Sequence, residues 1–204
     1  VPAADDPQTP PSPPDLGGWT PATATAAIAA WVQQIVLDLG LCPFAAQPWA
    51  AGRVEIRCVV GDDDAARIAG VWAAIVELVA QPPDAVETSL IGLPGAFADF
   101  EEFLAAIDVL EQLLEEQGLS TTVQLASFHP EYQFADAPAD DLANYTNRAP
   151  LAIVHALRTA SVSAAIAAHG DTLAIPAANV ARLRAMDEPT LRARAGLPPL
   201  RPRE

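Results

Sequence analysis

Between Arg53 and Phe128 the apolar residues change their spacing four times, and each change marks a change of element. Arg53–Val60 (RVEIRCVV) alternates with period two, which puts every second side chain on one face of a strand. Ile68, Trp72, Ile75 and Val79 then recur at three or four residues, the spacing of one helix face over Ala65–Ala80. Glu87–Leu93 (ETSLIGL) reads as a second strand, closed by Pro94-Gly95. Phe100, Phe103, Leu104, Ile107, Leu110 and Leu114 line one side of a helix over Ala98–Gln117, and Gly118 stops it. Thr121–Phe128 (TTVQLASF) is a third strand. Strands joined by whole helices pair as parallel neighbours through right-handed crossovers. The chain is therefore expected to be α/β, with a small three-stranded, parallel-leaning sheet in βαβαβ order, packed by helices.

Flanking elements complete this plan. Thr23 or Thr25 can cap a helix carrying Ile28, Trp31, Ile35 and Leu39 on one face, with Gly40 as its stop. Beyond the third strand a short helix is expected near Asp140–Thr146, a longer one over Pro150–Ala168 started by its proline, and one more over Asn179–Met186. Residues 1–21 hold seven prolines and no long apolar run, so they are expected to be a disordered acidic tail. Residues 22–187 form the expected single domain, large enough to bury a core without staples. Residues 188–204 are expected to be an Arg- and Pro-rich tail.

Charge restricts the partners. The net charge is −15, and residues 1–140 carry 21 acids against 3 Arg, a net of −18. Such a surface repels phosphate backbones, so nucleic acid is not an expected partner. No stretch reaches 18 apolar residues, which argues against a membrane partner. Two cysteines and no visible signal peptide make a reducing cytoplasm the expected compartment.

Chemistry concentrates in three segments. Cys42 follows the first helix and precedes Pro43, outside regular structure, where a thiol can act as nucleophile or soft metal ligand. Cys58 reads as a small buried hydrophobe within a strand. His129 leaves the third strand, and Pro130 fixes its exit. In open α/β sheets ligands gather beyond the carboxyl ends of strands, which puts His129 at the expected rim. Ala139–Pro150 (ADDLANYTNRAP) gathers Asp141, Asn144, Tyr145, Asn147 and Arg148, and a guanidinium beside free helix N–H groups is a receptor for anions. His155, read as helical, shares a face with Val162 and Ile166; His169 sits at that helix's end, suited to its carbonyls.

Three segments, LCPFA (Leu41–Ala45), SFHPEYQF (Ser127–Phe134) and DDLANYTNRAPLAIVHALR (Asp140–Arg158), resemble the family catalogued as domain of unknown function 1415. The resemblance spans about Trp31 to Ile166. It implies that Cys42, Pro43 and Phe44, then Phe128, His129, Pro130, Tyr132 and Phe134, then Asn147, Arg148, Pro150, His155 and Arg158 carry the family's signature. That pattern often places an aromatic and an acid near the positions held here by Leu151 and Thr159, so a catalytic carboxylate after Arg158 has no counterpart.

Two readings follow. In the first, the chain is an enzyme for a small anionic molecule. Cys42, His129 and His155 converge, either as ligands of zinc, iron or copper or as a histidine-assisted thiol, while Arg148, Asn147, Tyr132, Asn144 and Arg158 hold substrate. In the second, the same residues capture a small ligand, haem or a metal without catalysis. No CxxC or HxxxH spacing singles out the metal version, and no phosphate-binding loop is present.

Overall fold

The computed structural model describes residues 17–169 and 172–199; the expectations for residues 1–16 and 200–204 lie outside the described residues. Helix α1 (Pro21–Trp31) begins at Thr20, whose hydroxyl accepts the Thr23 N–H in a capping box. It runs into a π-helical stretch, Val32–Leu37, in which Val32 and Ile35 are buried. Gly40, at φ +60°, reverses the chain, and a short helix α2 (Ala46–Ala50) follows.

The alternating stretch then folds as its spacing predicts. Strand β1 (Val54–Cys58) leads to α3 (Asp64–Ala80), capped by Asp63. Strand β2 (Thr88–Leu93) leads to α4 (Phe100–Glu116), whose first N–H groups are taken by Asp99, and strand β3 (Val123–Phe128) follows. A 3-10 turn spans Leu142–Thr146.

The next element corrects the sequence reading. Ala152–Arg158 is a fourth strand, β4, not the first half of a helix, and α5 (Thr159–His169) starts directly at its end. β4 inserts between β2 and β3 and runs antiparallel to both, with Leu90 and Ala126 flanking His155. The sheet is thus four-stranded and mixed, in order β1-β2-β4-β3, with β1 and β2 parallel, rather than three-stranded. Helices α6 (Ala174–Arg184) and α7 (Glu188–Arg194) end the described chain. α7 falls where a tail is expected from the arginines, yet Leu191, Ala195 and Leu197 are buried.

Side chains on the two sheet faces build two cores. Ile91, Leu93, Val154 and Ala156 pack with α3 and α4 residues such as Ile75, Leu78, Phe103 and Leu110. Leu90 and Ile153 pack on the other face with Ile28, Trp31, Ile35, Leu183 and Leu191. Gly92 leaves room for α1, since a Cβ there would lie 2.6 Å from Ile28 Cδ1.

Candidate functional site

The second core is incomplete. Between the sheet and its α1 side lies a cavity of about 380 Å³, close to the lower end of the range of about 300–1,000 Å³ typical of small-molecule sites. Strand alternation makes its floor: Thr88 and Leu90 from β2, His155 and Leu157 from β4, Gln124, Ala126 and Phe128 from β3. Trp31, the π-helical Val32 and Val36, and the turn carrying Leu41, Cys42 and Phe44 form the roof. Ser161, Val162 and Ala165 of α5 close one side. The short side chain of Ala126, the cross-strand neighbour of His155, leaves room beside the imidazole on the cavity floor.

His155 stands on this floor with its hydrogen bonding half used. The Thr88 hydroxyl lies 2.7 Å from both His155 Nε2 and the Ala156 carbonyl oxygen. The carbonyl can only accept, so the one hydroxyl proton goes there and Nε2–H must donate to the Thr88 oxygen. Nδ1 is left as a lone pair, with no hydrogen bond among the described residues. Protein encloses the ring while one side borders the cavity, and burial holds its pKa down at about 4. At neutral pH it is an uncharged acceptor.

Cys42 borders the same cavity as a free thiol. Burial pushes its pKa up, against the opposing pull of hydrogen bonds from the Phe44 and Ala45 backbone. Its turn is held from outside: Asn179, buried on α6, donates to the Leu41 carbonyl at 2.7 Å, and Arg182 donates to the Leu39 carbonyl. These two positioning residues were missed from sequence, because nothing local links α6 to a turn 138 residues earlier.

The remaining candidates separate from this site. His129 is 1% exposed and does not line the cavity. Its Nε2–H donates to the Phe97 carbonyl at 2.8 Å and its Nδ1 accepts the Glu131 N–H at 3.1 Å, so both nitrogens are spent. It stacks on Phe103 and secures the turn at Phe97, whose φ of +50° is unusual for a side-chain-bearing residue. Arg148 donates to the Tyr132 and Ala139 carbonyls at 3.1 and 2.7 Å and lies over the Tyr145 ring, which ties the 132–148 loop together. Asn144 bridges that loop too, accepting from Phe134 N–H and donating to the Pro138 carbonyl. Burial raises the pKa of the Tyr132 phenol, with the nearby Ser127 and Asn147 side chains pulling it the other way. Asn147 does reach the cavity wall, with its amide donated to the Ser127 carbonyl. Arg158 also borders it, but its guanidinium donates to the Leu78 and Gln81 carbonyls at the end of α3 and to the Val86 carbonyl before β2.

The structure thus brings Cys42, His155, Asn147 and Arg158 to one cavity and leaves His129, Arg148, Asn144 and Tyr132 outside its wall. Among the described residues no three His, Cys, Asp or Glu side chains group to hold a metal ion. Among them also, no helix is long and apolar enough to cross a membrane. Residues 23–193 match the family described as "Protein of unknown function (DUF1415)", and the chain belongs to it. No curated protein and no solved structure matches.

Proposed function

We propose that this member of the DUF1415 family binds a compact, mostly apolar molecule in the sheet-face cavity, against His155 and beside Cys42. The observation that carries the reading is the His155 ring, fixed by Thr88 and keeping an unused lone pair on the wall of an otherwise apolar space. That lone pair is accessible from the cavity, and a ligand donor that meets it gains a hydrogen bond in an otherwise apolar setting. The anchor expected for an anionic substrate is not free: the Arg148 and Arg158 guanidinia are both bonded to backbone carbonyls.

Thiol catalysis is the second reading, favoured by Cys42 and His155 bordering one cavity. With the imidazole at about 4 and the thiol pushed above its ordinary value, the resting pair is neutral. A reaction therefore has to begin with a ligand that stabilises charge separation between them.

Screening small fragments by thermal shift and by the fluorescence of Trp31 and Trp49, which both line the cavity, tests the binding reading. Fragments are expected to raise Tm and change the emission of the wild type, and to do neither in a folded Ala126→Phe variant, whose ring projects into the cavity beside His155. Equal responses from both proteins would rule out this cavity as the site.

A further inference from the structure

Resting on the binding reading, we infer the ligand class: an uncharged aromatic molecule that donates one hydrogen bond, of the phenol or indole type, preferred over the corresponding carboxylate. Three features of the wall lead there.

The first is the direction of the hydrogen bond. The chain of donors from His155 Nε2–H to Thr88 to the Ala156 carbonyl runs one way, because the carbonyl that ends it has no proton to give. His155 therefore meets a ligand through an acceptor. A hydroxyl or ring N–H satisfies it; an ether or an ionised carboxylate presents a second lone pair and repels it.

The second is charge. Among the described residues, the charged ones bordering the cavity are Glu87 and Arg158. Arg53 pairs with the Glu87 carboxylate at 2.9 Å. The Arg158 guanidinium is turned to the α3–β2 connection, where Nη2 donates to the Leu78 and Gln81 carbonyls and Nε to the Val86 carbonyl. Alternation along β4 agrees, since Arg158 shares its parity with Val154 and Ala156 of the opposite core, while His155 and Leu157 face the cavity. A carboxylate placed against Leu90 and Phe128 would find no uncommitted counter-ion among the described residues, and an unpaired charge in an apolar site is strongly disfavoured.

The third is shape. Trp31 and Phe128 meet edge to face, with centroids 4.8 Å apart and planes at 63°, and Phe128 approaches His155 at 6.1 Å. Phe44 and Trp49 add further rings to the wall. Such a set offers both faces and edges to a flat guest, which is how aromatic rings pack against one another.

Matched ligand pairs test the inference without disturbing the fold. Titration calorimetry at pH 7 would compare phenol with anisole, indole with 1-methylindole, and phenol with benzoate. The donors are expected to bind about five- to tenfold more tightly than their methylated partners, the worth of one buried hydrogen bond. Benzoate is expected to be weaker than phenol. His155→Phe should erase the donor preference while keeping an aromatic floor, and Cys42→Ala should preserve it. Anisole equal to phenol, a preference that survives His155→Phe, or benzoate as the tightest of the set would each overturn the ligand class and leave the cavity reading standing. If neither the panel nor toluene binds, the cavity reading itself fails.

Discussion

A histidine ring has two nitrogens, and its chemistry depends on how many of them the fold has already used. His129 has given both away, to the Phe97 carbonyl and the Glu131 N–H, and it acts as a clamp between β3 and the turn before α4. His155 has given one, to Thr88. Both rings are held neutral by burial, with pKa values below the ordinary 6.5, at about 4 for His155. In the window between about 6.5 and about 4 the unfolded chain therefore binds more protons than the folded one, and stability falls as pH drops through it. His155 alone accounts for an expected loss of about 2 kcal/mol between pH 7 and 4.5, after discounting for the partial exposure of its ring. Urea unfolding of the wild type and of His155→Phe at the two pH values measures it. The variant should lose less stability by about that amount, and parallel losses would contradict a neutral, enclosed His155. Residue type was legible in the sequence for both rings. Their partners were not, since Phe97 lies 32 residues from His129 and Thr88 lies 67 from His155.

At the scale of elements, β4 decides where the site lies. The three strands read from their alternation run in one direction, and their carboxyl ends, with His129 among them, form a common edge. In an open parallel sheet a crevice would form there. Here β4 fills the gap between β2 and β3, and the cavity lies instead on the face, toward Thr88 and Gln124 at the amino ends. LAIVHALR resisted a strand reading because a short apolar run fits either period, Pro150 suits a helix start, and α5 extends the apolar pattern without a break. The β-branched pair Ile153-Val154 was the available strand signal. β4 also makes the two faces separately testable. Ala156 points into the dense α3/α4 core and Ala126 into the cavity. Ala156→Leu is expected to cost about 1–3 kcal/mol through overpacking. Ala126→Leu is expected to be neutral or stabilising by up to about 1 kcal/mol, because its added methyl groups enter empty space beside apolar neighbours. Chemical denaturation of the pair reads this directly, and comparable losses at both positions would mean that the β4 register is wrong.

Across the whole molecule, the two faces of the sheet differ in how firmly they are closed. α3 buries a stripe against β2 and β4, α4 buries one against β3 and α3, and β2 is buried along its whole length. On the other face α5 has no buried residue, although Ser161, Val162 and Ala165 border the cavity; it packs on β4, and its last residue, His169, meets Phe44 edge to face at 5.6 Å. Local opening requires little free energy where few apolar contacts must be broken. Native-state hydrogen exchange should therefore show the amides of α5 exchanging well ahead of those of β2, α3 and α4. Phe44→Ala removes the contact from the roof turn and should speed α5 further while leaving β2 unchanged. A bound ligand adds contacts to the floor, roof and side of the cavity at once, so it should slow α5 exchange in proportion to occupancy. Protection of α5 equal to that of α4 in the free protein would mean that this face is as closed as the other, and a ligand would then have to enter by another route.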